Sequence, residues 1–284
     1  MIVYYNGKFM PKSDVAISPD DRGFLFADGI YEVVRVYEGH LFRLAEHLKR
    51  LETGVTALGI GGVDPAQIGE IVARLIEQNQ LGQGDATVYV QVTRGAAPRS
   101  HKFPPANTPP TIYAEPKRLN ALVSEPESGV GVMVVPDQRW ARCDLKTTGL
   151  LANTIAHQRA FKAGAFEAIF CRDGMLMEGS HSSVMFVKNN TLLAPPLSNY
   201  ILPSVTRQVV LELAAAAGIE VMLRPCREDE LGEFQEALLV GTTVEVTPIT
   251  SVDGRPIGGG KPGPVTRRLQ AAFAEGVRRE RKAR

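Results

Sequence analysis

The sequence predicts an α+β protein of two domains. Three observations lead there. At 284 residues the chain is long for a single core; strand-like alternation and helical spacing succeed one another in both halves; and residues 119–129 lose all periodicity while gathering Ser124, Pro126, Ser128 and Gly129. That stretch reads as a linker between domains 1–118 and 130–284.

Each element has its own signal. Asn6-Gly7 accepts the positive φ angles of a tight turn and predicts a hairpin over residues 2–10. A strand at Tyr31–Tyr37 turns through Glu38-Gly39 toward His40–Phe42. Leu44, Leu48, Leu51, Val55 and Leu58 step by threes and fours, as one face of a helix does. A second helix follows Pro65 through Ile68, Ile71, Val72, Leu75 and Ile76, and Ala86–Thr93 returns to strand alternation. Residues 95–110, with Pro98, Pro104, Pro105, Pro109 and Pro110, predict an irregular loop of functional length.

Beyond the linker, Val130–Val135 predicts a strand and Leu150–Ala163 a helix stopped at Gly164. Asp173-Gly174 and Asn189-Asn190 predict hairpin turns, the latter joining Val184–Val187 to Thr191–Leu193. Ser204 caps a helix running to Gly218. Strands near Val221, Leu238 and Val246, a turn at Asp253-Gly254 and a basic helix from about Pro264 complete the chain.

Composition narrows the function. Hydrophobic residues are 44% and charged residues 22%, the balance of a folded globular protein, and a net charge of +1 gives no footprint for nucleic acid. A small-molecule ligand fits better. No apolar run reaches the ~20 residues of a membrane span, and the start MIVYYNGKFM has no signal-peptide pattern, so a cytoplasmic protein is expected. Cys143, Cys171 and Cys226 form no CxxC pair and read as free thiols. The five histidines lack a helical metal-binding spacing, so no metal is expected. GGGKPG departs from a phosphate loop at Arg255 and Pro262 and reads as a turn before a helix. Gly59, Gly61 and Gly62 miss the dinucleotide fingerprint.

One constellation remains. RWARCDLKTTGL places a lone lysine, Lys146, in an apolar setting just before a helix. With DRGFLFADGIYEVVRVYEG, VTRGAAPRSHKFP, FEAIF, MEGSHSSVMF and TTVEVTP, it carries a resemblance over nearly the whole chain. The sequence is similar to the fold-type IV, pyridoxal-phosphate-dependent aminotransferases, and among them most to the D-amino acid transaminases. The resemblance implies a smaller N-terminal domain, a larger C-terminal domain with a β-barrel-like sheet that provides Lys146, and a homodimer that shares its active sites across the interface.

It also implies residue roles. Lys146 carries pyridoxal phosphate and, once released by substrate, moves a proton, work that needs a reversibly condensing amine that can then act as a base. Glu178, in MEGS, pairs with the pyridine nitrogen. Arg50, Val205, Thr206 at a helix start, and Thr242 match the phosphate-binding positions, and Leu202 matches a residue packed on the ring. Tyr31, with Arg99 and His101 in a PRxH loop supplied by the neighbouring subunit, matches the trap for the substrate carboxylate. The implied reaction converts D-alanine and 2-oxoglutarate to pyruvate and D-glutamate.

The sequence also departs from the family. His181 replaces a small hydroxyl residue and either approaches the phosphate or faces solvent. Ser183 stands where an asparagine is frequent, and Thr147, Thr148 and Gly149 differ after the lysine. The competing readings are a branched-chain L-amino acid aminotransferase, an aminodeoxychorismate lyase, or an idle binding protein of the same fold.

Overall fold

The computed structural model describes residues 1–119 and 128–282, so the expected linker at 119–129 lies, apart from its ends, outside the described residues. The chain forms two compact units. One holds the N-terminal residues up to the undescribed stretch together with Leu145–Leu150; the other holds the residues from there to Asp144 together with Leu151 onward. Lys146, expected in the C-terminal domain, therefore packs with the N-terminal unit. The physical reason is backbone pairing with a strand of that unit, described below.

In the first unit, β1 (Ile2–Tyr5) and β2 (Lys8–Pro11) form the expected hairpin, with Asn6 and Gly7 both at positive φ. A short α1 (Arg22–Phe26) leads into β3 (Gly29–Tyr37), β4 (His40–Leu41), α2 (Leu44–Leu58), α3 (Pro65–Gln78), β5 (Asp85–Thr93) and β6 (Thr111–Arg118). The sheet runs β2-β1-β6-β5-β3-β4 with every neighbour antiparallel. Because strand side chains alternate, Ile30, Val34, Val36, Val88, Val90 and Val92 share one face. They bury it against Leu51, Val55, Ile68, Val72 and Leu75 of the two helices. α3 begins as its sequence dictates, with Pro65 in the first turn and the Asp64 side chain accepting from the Ala66 amide.

The second unit contains β7 (Val130–Pro136), α4 (Leu151–Lys162), β8 (Glu167–Arg172), β9 (Met175–Gly179), β10 (Ser183–Lys188) and β11 (Thr191–Ala194). It continues with α5 (Val205–Ala216), β12 (Val221–Leu223), β13 (Cys226–Arg227), β14 (Glu236–Gly241), β15 (Glu245–Val252), β16 (Arg255–Pro256) and α6 (Pro264–Lys282). The sheet path is β12-β11-β10-β14-β15-β7-β8-β9-β13, with β16 on β15. It curls into a half-barrel, which is the form taken by the expected barrel-like sheet. Ile169, Leu176, Val184, Phe186, Leu239 and Ile249 fill its core with Phe234.

GGGKPG is a turn before α6, as expected, and the anion at that helix start is internal. The Glu236 carboxylate accepts from the Val265 and Thr266 amides at 2.9 and 2.7 Å. Cys143, Cys171 and Cys226 are all free. No helix among the described residues is long and apolar enough to cross a membrane.

Phe186 stacks on Phe234 with ring centroids 4.5 Å apart, and both are buried. Phe186→Ala should cost about 3–5 kcal/mol of unfolding free energy, measured by denaturant titration. A loss within ~0.5 kcal/mol would show that this stack does not anchor the core.

Candidate active site

Strand β3 organises the first unit's share of the predicted residues. Its partner β4 pairs only with Val36 and Tyr37, which leaves the start of that edge open. Residues after Leu145 fill it: the Tyr31 amide donates to the Lys146 carbonyl at 2.9 Å, and the Thr148 amide donates to the Gly29 carbonyl at 3.0 Å. Thr148 Oγ1 adds a bond to the Ala27 carbonyl at 3.0 Å. This pairing brings the half-buried Lys146 Nζ to 4.2 Å from the centre of the Tyr31 ring. No carboxylate pairs with that amine among the described residues.

The opposite face of β3 points into the helices, and there Glu32 stands in an otherwise apolar row. It is buried, accepts from Arg50 Nε at 2.6 Å and Nη2 at 2.8 Å, and lies 2.8 Å from His47 Nδ1. Burial alone would raise its pKa. The Arg50 charge and the bonds from Arg50 and His47 outweigh burial and hold the carboxyl at about 2. Arg50, which matches a phosphate-binding position, makes a two-pronged contact to Glu32, which fixes the guanidinium. Sequence reasoning missed Glu32 and His47, although a glutamate in an inward strand slot was the available signal.

Arg99 and His101 are exposed on the irregular loop. Both gather on Phe26, the Arg99 guanidinium 5.3 Å and the His101 ring 5.6 Å from its ring centre. No hydrogen bond or ring contact among the described residues joins this pair to Tyr31 or Lys146.

In the second unit Glu178, next to last in β9, has both carboxylate oxygens engaged. One accepts from Arg139, and the other accepts from the Leu202 amide at 3.0 Å, so two predicted residues meet directly. Arg139 also donates to both oxygens of buried Asp137, at 2.9 and 3.0 Å, and to the Tyr200 carbonyl at 3.1 Å. Burial opposes the Arg139 charge, but Asp137 and Glu178 overcome it and keep the guanidinium protonated well above its ordinary range. Arg139 and Asp137 were not anticipated; only the closeness of an acid and an arginine in sequence hinted at them.

Val205 and Thr206 are buried in the first turn of α5, where the Ser204 side chain accepts from the Arg207 amide at 3.1 Å. The Val205 and Thr206 amides, ahead of that capped position, have no acceptor within the helix, which suits an anion. Thr242 stands half-buried in the turn between β14 and β15. Ser183 Oγ is buried without a hydrogen-bond partner among the described residues. His181 is held by Glu167: its backbone amide donates to the buried carboxylate at 2.7 Å, Nδ1 lies 3.1 Å away, and its ring meets His157 edge-on at 5.1 Å. No group of histidine, cysteine and acidic residues suited to a metal occurs among the described residues.

Each unit carries donors of the kind pyridoxal phosphate takes: in the first, an amine that no carboxylate among the described residues pairs with; in the second, a carboxylate of fixed direction, first-turn amides and a buried hydroxyl without a partner among the described residues.

Comparison with known proteins bears on the same chemistry. The family model for amino-transferase class IV matches residues 29–252. The chain is 39% identical to a D-alanine aminotransferase of Bacillus licheniformis, over 98% of this chain and 97% of that one. It is 37% identical to a D-alanine aminotransferase of Staphylococcus aureus (strain N315), covering 95% and 96%. The fold resembles a branched-chain amino acid aminotransferase of Escherichia coli, with a TM-score of 0.89 at 25% identity over 96% and 93% of the chains. It also resembles a branched-chain amino acid aminotransferase of T.th. complexed with N-(5'-phosphopyridoxyl)-L-glutamate, with a TM-score of 0.87 at 27% identity over 97% and 93%.

The Glu32 cluster sets a pH dependence. Because the folded pKa of about 2 lies below the ordinary 4.5, the cluster's stabilisation is complete above pH 4.5 and is lost as pH falls toward 2. Glu32→Gln, which takes the buried carboxylate away from Arg50 and His47, should lose roughly 3–5 kcal/mol at neutral pH. Its deficit against the natural protein should shrink on acidification in denaturant titrations; a deficit that does not change with pH contradicts this assignment.

Proposed function

Because the chain belongs to the class IV aminotransferases, we propose that it is a D-amino acid transaminase that converts D-alanine and 2-oxoglutarate to pyruvate and D-glutamate. The support for the substrate class is the pair of D-alanine aminotransferase relatives, alike over nearly their full length, together with the Arg99 and His101 loop. The observation that carries the chemistry is the Lys146 amine over the Tyr31 ring.

Pyridoxal phosphate supplies, when bound, an aldehyde that takes up an amino group and a ring that draws electrons from the α-carbon. Lys146 holds the cofactor and afterwards moves the proton at the substrate α-carbon. Glu178, whose two oxygens Arg139 and the Leu202 amide fix, would pair with the pyridine nitrogen. The Val205 and Thr206 amides, the Thr242 hydroxyl and the Arg50 charge hold the phosphate, and Leu202 packs on the ring. Tyr31 shapes the site around the amine and binds the substrate carboxylate with Arg99 and His101. The latter two, exposed in the single chain, serve the site of a second copy in a cytoplasmic homodimer.

The test is stereochemical. Loaded protein supplied with 2-oxoglutarate should form pyruvate from D-alanine and not from L-alanine. Activity confined to L-alanine or L-leucine would establish the branched-chain reading instead. Replacing both Arg99 with Met and His101 with Ala should raise KM for D-alanine at least about tenfold while the cofactor stays bound, since a charge-assisted contact to the carboxylate is lost.

A further inference from the structure

The loop that carries Arg99 and His101 has no helix or strand of its own, yet it leaves β5 in a fixed direction. Its base is closed by backbone. The Arg22 amide donates to the Gly95 carbonyl at 2.9 Å and the Ala97 amide to the Asp20 carbonyl at 3.2 Å. Gly95 has φ +86°, and a Cβ there would lie 2.0 Å from the Pro109 carbonyl oxygen, so only glycine lets the two ends of the loop meet.

Beneath the loop lies a charged cluster outside the residues assigned above. Arg22, on α1, is 4% exposed, and Arg94, at the end of β5, is 7% exposed. They share one carboxylate. Arg22 Nε donates to Asp28 Oδ2 at 2.8 Å, while Arg94 donates from Nε to Oδ2 at 2.7 Å and from Nη2 to Oδ1 at 2.9 Å. Two buried cations against one anion leave guanidinium donors over, and buried donors must find acceptors. Arg94 spends its remainder on the Gly59 and Leu58 carbonyls at the end of α2, at 3.0 and 2.8 Å. Arg22 spends its remainder on the loop, donating from Nη1 to the Ser100 carbonyl at 2.7 Å and, at longer range, to the Lys102 carbonyl at 3.4 Å.

Ser100 and Lys102 are the two neighbours of His101. The same guanidinium lies 4.7 Å from the centre of the Phe26 ring on which Arg99 and His101 rest, and Phe103 covers Arg94 at 3.7 Å. A flexible loop would have to be ordered each time it gripped a substrate, and that ordering would reduce affinity. Here one rigid arginine holds the backbone on both sides of the histidine in advance.

We propose that Arg22 is a positioning residue for substrate-carboxylate recognition, fixing through the Ser100 and Lys102 carbonyls the loop that presents Arg99 and His101. Asp28 and Arg94 anchor it to the sheet. Arg22 touches neither substrate nor cofactor. The inference rests on the proposed role of Arg99 and His101 in binding the carboxylate.

The experiment compares cofactor-loaded Arg22→Met and Arg22→Lys with the natural protein and with the double variant R99M/H101A, measuring KM and kcat for D-alanine and 2-oxoglutarate. Lysine keeps the charge beside Asp28 but lacks the second branch that reaches Ser100. Both Arg22 variants should raise KM for both substrates about tenfold with kcat changed less than about twofold, and with the bound-cofactor absorbance unaltered. Should the methionine variant not fold, the lysine variant decides alone. Unchanged KM in an Arg22 variant, while R99M/H101A raises it, overturns the inference and leaves the carboxylate-binding loop intact. Unchanged KM in R99M/H101A overturns the reading of the loop itself, and this inference with it.

Discussion

The open edge of β3 is the constraint on which the N-terminal unit's chemistry depends. A strand whose amides and carbonyls face outward needs partners, and the segment after Leu145 supplies them through the Lys146 carbonyl and the Thr148 amide. The position of the Lys146 amine over Tyr31 is thus set by backbone pairing and does not depend on the rotamer of a long side chain alone. The other face of the same strand buries Glu32 against Arg50 and His47, so a single strand fixes an amine on one side and a guanidinium on the other. Period-two alternation is sufficient to separate them.

The second unit uses the same economy with a different element. Arg139 is held rigidly by Asp137 and in turn orients Glu178, whose remaining oxygen is fixed by the Leu202 amide. A carboxylate held in this way keeps its direction. His181 is occupied in a comparable manner. Glu167 and His157 contact its ring, which stays exposed to solvent at the turn after β9.

Much of this was legible in the sequence. Local signals gave the Asn6-Gly7 hairpin, α2 and α3 with their apolar faces, the Ser204 cap of α5 and the turn before α6, because each is decided within a few residues. β6 was missed: Pro116, Glu115, Lys117 and Arg118 disguise a strand that pairs along its whole length with β5, and only tertiary pairing reveals it. The placement of Lys146 with the N-terminal unit escaped for the same reason, since it depends on which edge is left open. The motif residues could be named one by one from the resemblance. Their supports, Glu32, His47, Asp137, Arg139 and Arg22, were not, because buried charges are recognised by their partners, and those partners are distant in sequence.

Every role proposed for the site depends on Lys146 holding pyridoxal phosphate. Borohydride reduction of the cofactor-loaded protein followed by peptide mapping tests it directly. One stable label is expected, on the peptide containing Lys146; a label on another lysine, or none, would overturn that role.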